Sequence, residues 1–249
     1  MSIFSASQTR SHVARNHAVF APESHVAARI AGWRNAETVT LIGPRLGAKF
    51  AEYLITLNAG GLSAMPRANT SRFVYVLDGG VTFHSADQSR ALNQGGFAYI
   101  PPETAHEVRC ADTARIVVVE KPYVATSAAQ QPDAVVIGRE QDIPRKPVGG
   151  DPSVQVKQLL PDDAGFDMAM NIMAFEPGAA LGLVEVHVME HGLLMLDGSL
   201  IYRLGERYSP VQAGDVIYMA PFCPQWCAAF GRGMARYLLY KDWNRDALE

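Results

Sequence analysis

Gly182-Leu-Val-Glu-Val-His-Val-Met-Glu-His-Gly192 sets Glu185, His187 and His191 two and four residues apart, three metal-ligand side chains in one short segment. The spacing acquires meaning only with a conformation. On a helix His187 and His191 would share a face, but at roughly 100° per residue Glu185 would lie about 200° from His187 and could not converge with them. Val184, Val186 and Val188 alternate strictly, which is a strand signature. In a strand Glu185, His187 and His191 point one way and the valines the other. Leu183 and Met189 share the face of the polar trio, so both faces are expected to be buried. Buried Glu and His need partners, and a metal ion is one that all three can share. The alternative is a solvated strand face.

The chain has 249 residues, 48% of them hydrophobic, with a formal net charge of −3. That length can bury one large core or two of ordinary size. The charge balance, with no basic tract, argues against nucleic acid as a partner. Cys110, Cys223 and Cys227 are the three cysteines, too few and odd in number for a disulfide framework, and they suit a reducing cytoplasm. A Cys-x3-Cys without a second pair is weak evidence for zinc, so Cys223 and Cys227 read as small core residues. The first ten residues contain no apolar signal core, and no window of 18 uncharged apolar residues occurs. A cytoplasmic protein with no membrane segment is therefore expected.

Residues 1–37 show a weak pattern and read as an N-terminal arm, with His12, His17 and His25 on its surface. From 38 to 122 short β-rich runs follow one another, at 38–42, 50–57, 73–77, 81–83, 97–100 and 116–120, punctuated by Gly and Pro. Residues 123–152 read as a connector. The pattern then restarts over 153–249, with runs at 167–175, 184–188, 192–196, 200–204, 216–219 and 236–241. The second half reproduces the first. Phe73-Val-Tyr-Val-Leu-Asp-Gly79 aligns with Gly192-Leu-Leu-Met-Leu-Asp-Gly198, an offset of 198 − 79 = 119, and the runs ending at Pro101 and Ala220 align likewise. The chain thus reads as two copies of one all-β sandwich or barrel.

A glycine turn, clustered His and Glu, a hairpin and then Gly214-Asp-Val-Ile-Tyr-Met-Ala-Pro221 with Gln225 following resemble the two motifs of the cupin barrel. The chain therefore looks like a bicupin, two tandem jelly-roll cupin barrels. Among bicupins it is most similar to the (S)-ureidoglycine aminohydrolase family. The likeness is carried by Glu185-Val-His187-Val-Met-Glu-His191, Pro224-Gln225-Trp226 and Arg236-Tyr237-Leu-Leu-Tyr-Lys241-Asp-Trp-Asn-Arg245, and also covers Gly43-Pro-Arg-Leu-Gly47. The hairpin departs from the family at Gly198-Ser-Leu200, where a second glycine is usual.

The resemblance implies Mn²⁺ held by Glu185, His187, His191 and Gln225. It implies a small-molecule substrate, ureidoglycine, bound by Glu185, Gln225, Tyr237 and Lys241, with Lys241, Tyr237 and Glu185 in catalytic roles. It further implies conversion of (S)-ureidoglycine to (S)-ureidoglycolate and ammonia in purine catabolism, by a homo-oligomer. Independently of the family, Tyr237, Leu239 and Lys241 share one face of the last predicted strand. The rival readings are a cupin dioxygenase on another metal and a non-catalytic ligand-binding cupin. In the first repeat the 119 offset sets Pro66, Ala68 and Arg72 opposite Glu185, His187 and His191, and His106 opposite Gln225. One metal per chain, in the second barrel, is the expectation.

Overall fold

The structure, a computed structural model, describes residues 9–245. The ends of the predicted arm and of the second barrel, 1–8 and 246–249, lie outside the described residues. Helical structure among the described residues is confined to three-residue turns, Pro22–Ser24, Pro44–Leu46 and Glu140–Asp142. The rest is strand and loop, an all-β fold built as two compact units.

One unit comprises residues 26–143 with 163–167. Its sheet runs in the order Val136–Arg139, Gly96–Ile100, Thr70–Ser85, Ala114–Pro122, Ala51–Leu62, Arg34–Ile42, Ala27–Ala28. His106–Arg109 pairs with both Ala51–Leu62 and Thr70–Ser85 and closes the barrel. Ile116 and Val118 enter a core with Ile55, Leu57, Val74 and Val76, while Val117 and Val119 are buried on the opposite face. Burial on both faces is why 116–119 is an unbroken apolar run rather than an alternation; each such side chain contributes about 1.5–3 kcal/mol. The short segment 163–167 belongs here because Lys121 Nζ contacts Asp167 Oδ2 at 2.5 Å and Tyr123 Oη donates to the Gly165 carbonyl at 3.0 Å.

Among the described residues the other unit comprises 9–25, 144–162 and 168–245. Its larger sheet is ordered His12–Val13, His17–Phe20, Val216–Met219, His191–Asp197, Ala235–Asp242, Met168–Phe175, Asp151–Gln158, Lys146–Val148. A three-stranded sheet, Arg207–Gln212, Ser199–Leu204, Gln225–Phe230, completes it.

The stretch set apart as an arm divides between the units. His17–Phe20 is a strand in register with Val216–Met219, and His17 is buried rather than on the surface. Arg10 fastens the same stretch, its Nη2 lying 2.7 Å from Oδ1 of the fully buried Asp215. Four residues are too few to show periodicity, which is why the strand is silent in the sequence. The predicted connector likewise contains two edge strands, Val136–Arg139 and Lys146–Val148.

The duplication is visible in the ladders. Arg72 pairs with Ile100 as His191 pairs with Met219, both at the 119 offset. In the last strand the offset is larger: Val76 pairs with Ile116 and Met195 with Tyr237, so 195 − 76 = 119 but 237 − 116 = 121. The hairpin glycines Gly79 and Gly198 have φ of 72° and 69°. A Cβ at Gly198 would stand 2.6 Å from the Met234 carbonyl oxygen. The turn thus needs only this glycine and tolerates Ser199-Leu200. Gly198→Ala is expected to lower stability by about 2–4 kcal/mol, from left-handed strain plus overpacking. An unchanged melting temperature would show that this hairpin relaxes freely.

Candidate active site

The segment 182–190 is not the continuous strand that its valines suggest. The ladder begins at His191. Before it, Glu185 forms one isolated antiparallel bridge with Gln225: Glu185 N donates to the Gln225 carbonyl at 2.8 Å and Gln225 N to the Glu185 carbonyl at 2.9 Å. Phe222 N donates to the His187 carbonyl at 2.7 Å. Alternating valines favour extended backbone, and a single bridge satisfies that preference without a sheet to cover them. Leu183 and Val186 are accordingly 66% and 56% exposed, so the expectation of burial on both faces is wrong. The polar trio still faces inward.

A cavity of about 230 Å³ is lined by Glu185, His187, His191, Gln225, Tyr237 and Lys241. The last strand supplies Tyr237, Leu239 and Lys241 from one face, and its register sets Lys241 directly across from His191. Three further polar lining residues carry no role in the sequence reading: Gln158, Asn171 and Tyr202. The first two sit in strands whose ordinary composition gives no signal. Tyr202 has one, because it lies in the alternating run after the hairpin at a position whose side chain must point inward.

His191 is almost fully buried, with Nδ1 3.0 Å from the Met189 carbonyl. That contact puts the proton on Nδ1 and leaves the Nε2 lone pair for another partner. Burial, then the neighbouring His187 and Lys241, pushes the His191 pKa down to about 3, so the ring is neutral at physiological pH. The His187 and His191 rings stack with centroids 5.1 Å apart, and His187 Nε2 lies 3.1 Å from Glu185 Oε2. Among the described residues no group of three or more His, Cys, Asp and Glu is arranged to hold a metal ion. That holds for Glu185, His187 and His191 too, which line one cavity without closing on a common point; Gln225, an amide, lines it with them. As chemistry, two imidazole nitrogens, a carboxyl group and an amide oxygen suit a divalent cation.

The back of the cavity is phenolic. Tyr202 and Tyr237 are 2% and 3% exposed, and burial pushes both hydroxyl pKa values well above the ordinary range, so both remain protonated donors. Tyr202 Oη donates to Gln225 Oε1 at 3.2 Å. Lys241 Nζ lies 3.9 Å from the centroid of the Trp243 ring, a cation–π distance. Burial lowers its pKa, while Asp162 and Glu185 oppose the shift.

The cupin domain family matches residues 53–120. Across 241 residues, 96% of this chain and 80% of the relative, the sequence is 39% identical to (S)-ureidoglycine aminohydrolase of Arabidopsis thaliana. This chain belongs to the (S)-ureidoglycine aminohydrolase family. The Escherichia coli protein of that name is 34% identical over 236 residues, 93% of this chain and 90% of its own. The crystal structure of a putative glyoxylate-induced protein from Pseudomonas aeruginosa superposes with a TM-score of 0.88 at 30% identity, covering 98% of this chain and 93% of that one. Within this ureidoglycine aminohydrolase family member, Tyr202 is the residue that fixes Gln225. Tyr202→Phe is expected to cost about 0.5–1.5 kcal/mol of stability, the net worth of one buried hydrogen bond. A chemical denaturation midpoint equal to the parent's would show that Gln225 Oε1 finds another donor.

Proposed function

We propose that the chain hydrolyses (S)-ureidoglycine to (S)-ureidoglycolate and ammonia in purine catabolism, with Mn²⁺ held by Glu185, His187, His191 and Gln225. The observation that carries this reading is the convergence of these four with Tyr237 and Lys241 on one cavity, in a chain 39% identical over 96% of its length to an enzyme of that name. When bound, the ion supplies Lewis acidity and a chelating centre that fixes one face of the substrate carbon. The mixed, fairly hard donor set is the chemical argument for Mn²⁺, against the higher raw affinity of Zn²⁺ or Cu²⁺.

The chain's own residues do the rest. Lys241 binds the substrate carboxylate by a charge-assisted hydrogen bond. The protonated Tyr237 hydroxyl donates to the ureido end. Glu185 accepts a proton from the attacking water as its oxygen bonds to the central carbon, and the protonated amine departs as ammonia with the C–N electron pair. The deep burial of Tyr202, Tyr237 and His191 keeps competing water from the polar end of the site.

The test is ammonia release from freshly generated ureidoglycine by chelator-stripped, Mn²⁺-reloaded protein. Gln225→Ala and Lys241→Ala are each expected to lower kcat/KM about 100-fold or more, as loss of an orienting polar contact commonly does. Release no faster than spontaneous decay would end the proposal, and oxygen uptake in its place would point to a cupin dioxygenase.

Lys241 also sets an expected pH dependence. It must be protonated to bind the carboxylate, and its folded-state pKa is lowered, so binding is lost as pH rises through that lowered value. The alkaline limb of kcat/KM should therefore begin below the ordinary lysine range. Lys241→Arg should move it upward, and a limb that stays fixed in that variant would remove Lys241 from carboxylate binding.

A further inference from the structure

The first unit contains a buried polar cluster at positions equivalent to the candidate active site. Arg72, at the 119 offset from His191, is 1% exposed. Four of the guanidinium's five N–H groups are engaged. Nη1 donates to the Ala64 carbonyl at 2.7 Å and to His106 Nε2 at 2.9 Å. Nε and Nη2 both donate to Glu120 Oε1, at 2.9 and 2.5 Å. The Trp33 ring covers the guanidinium, with Cζ 5.5 Å from its centroid.

The equivalences are set by register as well as by sequence. Arg72 pairs with Glu120 across the ladder, as His191 pairs with Lys241. His106 begins the strand that corresponds to the one begun by Gln225. The matched positions therefore carry different charge: a neutral imidazole and a cation, His191 and Lys241, in one interior, a cation and an anion, Arg72 and Glu120, in the other. His106 is built as an acceptor for its partner. Its Nδ1 lies 2.8 Å from the Thr104 carbonyl, which leaves Nε2 unprotonated toward Arg72.

We propose that the first barrel holds a built-in cation, with the Arg72 guanidinium standing where the second barrel presents its cation-binding donors, so that this interior is a guanidinium site liganded by its own chain. Glu120, His106 and the Ala64 carbonyl are the receptor, and Trp33 is its lid. His106 supports the assignment, since burial first and Arg72 after it hold its pKa down to about 4 and keep it an acceptor. Removing the side chain should leave a receptor for a small planar cation.

The experiment uses the full chain. Arg72→Ala should melt below the parent. Methylguanidinium chloride at ~10 mM should then raise its melting temperature by about 2–4 °C beyond equal sodium chloride, with no such gain for the parent. Should the alanine variant not fold, the pair Arg72→Lys and Arg72→Met separates charge from volume, and the lysine variant is expected to melt higher. Rescue no greater than that of sodium chloride, or a methionine variant melting as high as the lysine one, would overturn the proposal.

Discussion

One pair of backbone hydrogen bonds, exchanged between Glu185 and Gln225, makes the candidate site possible. The segment 182–190 runs outside the sheets and would wander without a fixed point. The bridge ties it to the first residue of Gln225–Phe230, so the two side chains that flank the bridge enter one cavity together. His187 follows two residues later, pinned through its carbonyl by Phe222 N. His191 then enters the large sheet and meets Lys241 across the ladder. Loop, three-stranded sheet and eight-stranded sheet each contribute to the site, and the bridge sets their relation.

A barrel interior tolerates polar side chains only where each finds a partner. The two interiors meet that demand differently. In the second, Tyr202 donates to Gln225 Oε1 and the Met189 carbonyl accepts from His191 Nδ1, while the side chains of Glu185 and His187 and the Nε2 edge of His191 line open space. In the first, the corresponding space is filled by Arg72 and its four hydrogen bonds. On the proposed reading, a duplicated fold has kept one interior open for chemistry and closed the other with its own charge. Fully satisfied, such a buried network fixes a single arrangement of the strands around it.

The duplication and most strands were legible in the sequence because each rests on a local pattern; Glu185, His187 and His191 stood out by their spacing, Gln225, Tyr237 and Lys241 only through the family resemblance, and all six line one cavity. Val216–Met219 is an apolar run bounded by turn residues, and the Phe73 and Gly192 runs share an unmistakable spacing to their glycines. What was not legible depends on partners distant in sequence. The alternation at Val184–Val188 encodes extended backbone but not whether a neighbouring strand exists, so Leu183 and Val186 were expected inside and lie exposed. His17 lies in a four-residue strand whose place is set by Val216–Met219, some two hundred residues away. Arg72 reads in sequence as a lost ligand, and only Glu120 and His106, brought to it by the ladders, show it to be the occupant of its barrel.

On the proposed reading, one interior takes its cation from solution and the other supplies its own. Metal content per chain, measured after stripping, loading with Mn²⁺ and removal of free ion, tests this directly. One equivalent per chain is expected, lost in His191→Ala and retained in His106→Ala. Two equivalents, or one that survives His191→Ala, would contradict it.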